Sequence, residues 1–329
     1  MTKRSITHAI VVLIALAGAA RADSPAPATK PASAATDVRF LRFTGDARKG
    51  GILETSDVTF RNAAGVEVRL VAAVHIADEP YFQALNKSFR TSDAVLYEMV
   101  KPKGAPPPRI GDPPSDGGIA QLQHFLKNRL NLAFQLDVIN YRLPNFVHAD
   151  MDAETFTAMQ AKRGESFASL ILASMLEALS NPSAGLNDPE QPQTMMELLS
   201  RPDGERQFKL LLARQMGDLE ASAMGLKGLN GTVILTERNK TVITALKDAL
   251  ADGKKRIAIF YGAAHMPDLA AQIEKMGFKP VETKWYQAWD TTIRPNEPSA
   301  FQKIQERMKQ VQQAQPTSGV RQSSPDQRL

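Results

Sequence analysis

Two histidines, a glutamate and an arginine stand just beyond short apolar runs in this sequence. His75 follows Val66 to Val74, Glu98 follows Ala94 to Tyr97, Glu237-Arg238 follow Thr232 to Thr236, and His265 lies just past Arg256 to Tyr261. In open α/β sheets the ligand crevice lies outside the carboxyl ends of the strands. If these strands are parallel neighbours, two imidazoles, a carboxylate and a guanidinium meet on one rim. Such a set can move protons, polarise a carbonyl or hold a divalent ion. Each residue taken alone has an ordinary reading: a turn histidine, a surface carboxylate, or an exposed helix opened by Glu237, which the helix dipole favours there. Their joint occurrence carries more, because the chain has only five histidines and two occupy equivalent positions.

Small residues lead into both histidines, as Ala72-Ala73-Val74-His75 and Gly262-Ala263-Ala264-His265. Gly and Ala let the backbone turn tightly off a strand and let a ligand approach closely. The chain has no cysteine, which excludes a thiolate zinc site and a cysteine nucleophile. No His-Glu-x-x-His metal motif is present. A second polar cluster, His148-Ala149-Asp150-Met151-Asp152, precedes a helix expected from about Ala153. Asp152 reads best as its N-cap, with substrate or metal contact as the alternative. His124 is read as structural, and Trp285, Tyr286 and Trp289 as packing and edge cover.

The elements that must position these residues follow an alternating rhythm. Ile52 to Phe60 and Val66 to Val74 read as a hairpin around Asn62-Ala63-Ala64-Gly65. The second strand turns continuously apolar at its end, as in a sheet buried on both faces. A helix is expected over Glu79 to Arg90, a buried strand over Ala94 to Tyr97, and a Pro/Gly-rich loop over Lys101 to Gly118. Residues 119–222 show almost no strand pattern. Two helical stripes stand out there, Phe167/Leu170/Ile171/Met175/Ala178 and Phe208/Leu211/Leu212/Met216/Leu219. After Gly231 come an expected short strand Thr232 to Thr236, a helix Glu237 to Ala251, a strand Arg256 to Tyr261, a helix Met266 to Met276 stopped by Gly277, and a last strand Pro280 to Trp289. The expected fold is α/β: a central, mostly parallel sheet flanked by helices, with a large all-helical insertion.

Composition bounds the classes of function. The chain has 329 residues, 43% hydrophobic, with 40 Lys+Arg against 35 Asp+Glu. That is enough for one large domain whose core needs no metal to fold. The formal charge of +5 owes three charges to Lys3, Arg4 and Arg21, in a leader without acids. No basic cluster interleaved with aromatics remains, so no nucleic-acid partner is expected. Residues 1–22 read as a signal peptide: a positive start, an apolar run of twelve from Ala9 to Ala20, and Ala20-Arg21-Ala22 as the cleavage pattern. The run is too short to span a bilayer, which takes roughly 20 residues. The expectation is an exported protein, periplasmic or secreted, cleaved after Ala22 and without a stable membrane anchor. Residues 23–37 read as a disordered linker, 38–296 as a single domain, and 297–329 as a helix (Ala300 to Gln313) with a disordered tail. The oligomeric state is not encoded in any of these patterns.

The pair Ala72-x-x-His75 and Gly262-x-x-His265, Glu98 in Leu96-Tyr97-Glu98, and Thr236-Glu237-Arg238-Asn239 together resemble the TraB/PrgY/GumN family. Related groups are the TIKI-type metal-dependent proteases and, more distantly, erythromycin-esterase-like and ChaN-like proteins. The resemblance spans roughly Val66 to Gly277; the family's first motif usually has Gly where this chain has Ala72. It implies a hydrolase-like site with His75, His265 and Glu98 at its centre and Arg238 beside them. His75, His265 and Glu98 would hold a divalent ion (Mn, Co or Zn), or one of them would act as general base without metal. Arg238 would stabilise an oxyanion or bind a substrate carboxylate. The implied activity is a metal-dependent peptidase acting on peptides or small molecules outside the cytoplasm. A non-catalytic peptide- or ligand-binding module using the same crevice is the alternative, and haem or iron binding a weaker one.

Overall fold

The computed structural model describes residues 38–46, 49–110, 130, 132–163, 204–221 and 233–293. The expected leader, linker, His124, the stripe from Phe167 to Ala178 and the C-terminal helix lie outside these residues. Nine strands are described. β1 (Leu41–Asp46), β2 (Gly50–Arg61), β3 (Glu67–Ala73), β5 (Ala94–Tyr97), β7 (Phe146–His148), β8 (Arg256–Gly262) and β9 (Lys279–Asp290) form one mixed sheet. β4 (Ile76–Ala77) and β6 (Ala133–Phe134) form a small separate ribbon.

The hairpin of β2 and β3 forms because Asn62 and Gly65 suit its turn. The Asn62 side-chain oxygen accepts the amides of Ala64 and Val66 at 3.0 and 2.9 Å, and Gly65 takes a φ of +77°, which its missing Cβ permits. β2 also pairs antiparallel with β1 and β9. Beyond β3 the sheet becomes parallel, in the spatial order β3-β8-β5-β7. This half carries the chemistry, because its four carboxyl ends lie along one edge. Ala73 pairs with Gly262, Tyr97 with Phe260, and Tyr97 with His148.

Both faces of this half are covered, which explains the continuous apolar runs. Along β8, Ile257, Ile259 and Tyr261 point to one side, toward α5 (Arg238–Ala251) and α6 (Met266–Lys275). Ala258 and Phe260 point to the other side, where α1 (Glu79–Phe89) contributes Phe82, Leu85 and Phe89, and α4 (Gly204–Ala221) contributes Phe208 and Leu212. α4 seats closely on β1: a Cβ on Gly217 would come within 2.6 Å of the Phe43 side chain. α6 ends as its Gly277 suggests. The amide of Gly277 bonds the carbonyl of Glu274 at 2.9 Å, that of Phe278 reaches Ile273 at 3.3 Å, and Gly277 has φ +87°.

Two expectations need correction. Val233–Glu237 is one π-helical turn running directly into α5, not a strand. A three-residue apolar run fits either state by pattern alone; here Leu235 packs on Val100, Met151 and Phe156 without joining the sheet. The span expected to be all-helical also carries strands: β6, and β7, which is the parallel edge strand beside β5. At two and three residues these are too short for an alternating pattern to register. The helices α2 (Gln135–Val138), α3 (Ala153–Arg163) and α4 are the helical part of that span among the described residues.

Candidate functional site

Four adjacent parallel strands deliver one polar group each to the same edge. His75 follows β3 by two residues, Glu98 directly follows β5, Asp150 follows β7 by two, and His265 ends the 3₁₀ turn Ala263–His265 that leaves β8. Arg238, the first residue of α5, reaches in from the covering helix. Gly262 is their meeting point. A methyl group built on it would lie 3.3 Å from Glu98 Oε2, 3.6 Å from His75 Nε2 and 3.8 Å from His265 Cδ2. The structure thus brings together all four residues singled out in the sequence.

Charge dominates the centre. Glu98 Oε1 accepts from Arg238 Nη2 at 2.6 Å, and Oε2 accepts from the Gly262 amide at 2.6 Å. Arg238 also donates from Nε and Nη2 to the two oxygens of Asp150, at 2.9 and 2.5 Å. Asp150 further accepts the Met151 amide at 2.8 Å. Arg238 and Asp150 are almost wholly buried, with side chains 4% and 0% exposed. Expected to meet an oxyanion or a substrate carboxylate, the Arg238 guanidinium therefore engages two protein carboxylates through Nε and Nη2. Burial alone would push the Glu98 carboxyl up. Arg238 foremost, then His265, His75 and the Gly262 amide, outweigh burial and hold it well below the usual carboxylate range.

Each imidazole is anchored through Nδ1 to a side-chain amide. His75 Nδ1 lies 3.0 Å from Gln135 Oε1, and Gln135 Nε2 donates to the Tyr141 hydroxyl at 2.6 Å. The Gln135 amide also bonds the His75 carbonyl at 2.9 Å, so α2 grips this residue by both backbone and side chain. His265 Nδ1 lies 2.7 Å from Asn239 Oδ1, one residue beyond Arg238 on α5. Nε2 of His265 is buried without a hydrogen-bond partner, 3.6 Å from Glu98 Oε1. Burial pushes the His265 imidazole down to about 4, against the pull of Glu98, so it is neutral at physiological pH.

That depressed value has a measurable consequence. Between about pH 6.5 and 4 the unfolded chain protonates His265 and the folded chain does not, so stability falls as the pH drops through this window. The expected loss is on the order of 3 kcal/mol. Melting temperatures across the window should show it, and His265→Leu should lack that part of the slope. Gly262→Ala gives a complementary prediction. Its φ of −55° and ψ of 143° suit alanine, so the fold should hold, with the melting temperature shifted by only a few degrees. The added methyl would enter the space between Glu98 and the imidazoles, and the ring resonances of His75 and His265 should shift with it.

The cluster His148-Asp150-Asp152 does not form a site of its own. Asp152 Oδ1 accepts the Thr155 amide at 2.7 Å, the expected N-cap of α3. His148 Nε2 donates to the Met99 carbonyl at 2.7 Å. Asp150 alone joins the centre. Its role was missed because β7 was not recognised as a strand; with that strand in view, Asp150 sits at a carboxyl end like the others. Gln135 was missed as well, and Asn239 was noticed only as a neighbour of Arg238. An amide has no spacing signature that marks it as an imidazole anchor. Trp289 is buried and donates from its indole N–H to the Ile76 carbonyl at 2.6 Å, while Arg42 lies over the Trp285 ring.

As ligands for a divalent ion, two neutral imidazoles and an ionised carboxylate fit in kind. Among the described residues no group of three or more His, Asp or Glu side chains is set to hold a metal ion, and Glu98 is drawn toward Arg238 and Gly262. Among the described residues, too, no helix is long and apolar enough to cross a membrane. No family model, no curated protein and no solved structure matches this chain.

Proposed function

We propose that this protein is an exported hydrolase of the TraB/GumN type, acting on peptides outside the cytoplasm through His75, His265, Glu98 and Arg238. The observation that carries the reading is the convergence on Gly262 of a carboxylate and two imidazoles, at the carboxyl ends of parallel strands. Structural ion pairs alone have no need of an unpartnered imidazole nitrogen at their centre; a proton-transfer site does. In this reading the Nε2 lone pair of His265 takes the proton of an attacking water. His75, the more accessible imidazole, faces the leaving group. Glu98, kept ionised by Arg238, stabilises the imidazolium formed next to it, and Asp150 keeps Arg238 in place. Export rests on the pattern of residues 1–22.

A second reading places a divalent cation on His75, His265 and Glu98. The formal charges of Glu98, Asp150 and Arg238 leave one negative charge in excess beside two imidazoles, and a cation would offset it. Such an ion, when bound, supplies a water of lowered pKa and a Lewis acid for the carbonyl.

The test is turnover of a peptide pool by the purified chain, before and after chelation and after addition of Mn, Co or Zn. Cleavage lost in folded His75→Ala and His265→Ala supports the hydrolase, and metal uptake lost in the same variants supports the cation. Capture of peptide by the wild type with no product under any condition would replace the hydrolase with a binding module. A Soret band on haem titration, absent in a histidine variant, would point to haem instead.

A further inference from the structure

We infer that Asp268, acting through Asn239, locks His265 into the tautomer with its proton on Nδ1, whereas His75 has no such lock. The catalytic meaning of this asymmetry rests on the hydrolase reading above; the asymmetry itself does not. It makes Asp268 a positioning residue, two side chains removed from the reacting atoms.

The argument starts from an acceptor that cannot become a donor. Asp268 lies in the first turn of α6, and its Oδ2 is 2.7 Å from Asn239 Nδ2. A carboxylate only accepts, so the amide of Asn239 must turn its nitrogen toward Asp268; its oxygen there would set two lone pairs against each other. A bond of 3.4 Å from the same nitrogen to the His265 carbonyl favours the same orientation. Asn239 Oδ1 is left facing His265 Nδ1 at 2.7 Å. An amide oxygen carries no proton, so Nδ1 must supply one. A neutral imidazole has a single N–H, which leaves Nε2 bare. The surroundings of Nε2 agree: it is buried with no hydrogen-bond partner, and Glu98 Oε1 at 3.6 Å is too far to take a proton from it.

The corresponding chain behind His75 ends differently. Gln135 lies between His75 Nδ1 and the Tyr141 hydroxyl. A phenol both donates and accepts. If the Gln135 amide turns over, Tyr141 can donate to its oxygen while its nitrogen donates to His75 Nδ1, and the imidazole proton then sits on Nε2. Both arrangements keep the bonds of Gln135 to His75 and to Tyr141. His265 is thus held with a bare Nε2 toward Glu98, while His75 can present either a lone pair or an N–H. One imidazole fixed as base and one able to act as acid is the division of labour that peptide hydrolysis requires.

Nitrogen NMR of the full chain labelled in its histidines tests this without substrate. At neutral pH, His265 should show a pyrrole-type Nδ1 and a pyridine-type Nε2, assigned by their loss in His265→Asn. A pyrrole-type Nε2 in the wild type would overturn the inference with no variant needed. Asp268→Asn removes the obligate acceptor, so a second His265 population protonated at Nε2 should appear. On a cleaved peptide, kcat should fall about 100-fold with KM nearly unchanged. Gln272→Leu removes the other donor to Asp268, at 2.7 Å, and should leave the tautomer single. An unchanged His265 spectrum in folded Asp268→Asn would sink the role given to Asp268. A chain that cleaves nothing yet shows the locked tautomer would overturn the hydrolase reading and leave this inference standing.

Discussion

Replacing Arg238 with Met should destabilise the protein by roughly 3–5 kcal/mol at pH 7, the range for breaking a buried ion pair by removing one partner. The guanidinium holds Glu98 and Asp150 together in an interior where the three side chains are at most 10% exposed. Without it two carboxylates face each other with no cation between them. The loss should shrink in acid. In the wild type, burial raises the Glu98 pKa but Arg238 and its neighbours bring it well below the ordinary 4.5. Glu98 therefore contributes stability that is present above about pH 4.5 and is lost as the pH falls further. In Arg238→Met the largest of the lowering influences is gone, and burial and carboxylate repulsion push the acid upward against the weaker pull of His265, His75 and the Gly262 amide. The folded variant then takes up a proton the unfolded chain does not, and regains stability as the pH drops. Urea melts at pH 7 and pH 4 should show the gap between the two proteins closing. A constant gap would mean that Arg238 acts through packing rather than charge.

If the protein is the hydrolase proposed above, Glu98→Gln should give the largest loss of activity, on the order of 1000-fold in kcat. The carboxylate accepts two donors on two different oxygens, Arg238 Nη2 and the Gly262 amide. A glutamine offers one oxygen and one NH₂ group, so whichever way it turns, one of those donors faces another donor. The expected stability cost is about 1.5–3 kcal/mol, the scale of a hydrogen bond to a charged group. It should be accompanied by a shift of the Gly262 amide resonance. The activity loss has a separate origin: the substitution removes the negative charge 3.6 Å from His265 Nε2 that favours the imidazolium during proton transfer. Ligand affinity retained alongside abolished turnover would support chemistry at this carboxylate. Unchanged turnover would remove Glu98 from the mechanism.

Much of this arrangement was legible in the sequence because parallel strands announce themselves. β3, β5 and β8 are buried on both faces along their ends, so the runs ending at Val74, Tyr97 and Tyr261 are continuously apolar, and the first polar residue beyond each run marks the sheet's carboxyl edge. His75, Glu98 and His265 were found in that way. Arg238 was found by a faulty step, since the run before it is a π-helical turn; it reaches Glu98 from the start of α5 instead. Asp150 stayed hidden because three residues of edge strand, Phe146–His148, give no periodicity to detect. The roles of Gln135, Asn239 and Asp268 could not be read at all. Their importance lies in which atom faces which, a property of folded geometry and not of residue type or spacing.

The place of β8 in the sheet also bears on how the molecule comes into being. β8 lies between β3 and β5, yet more than 150 residues of chain separate it from β5 in sequence. As the ribosome releases the chain, β3 and β5 cannot join one sheet until a strand made long afterward fills the gap between them, and the edge that carries His75, Glu98 and His265 is assembled only at that step. Pairing over such sequence separations is slow, because the closure entropy must be met before the contacts that reward it exist. Refolding should therefore be slow for a chain of this size, and a fragment ending before residue 256 should remain unfolded.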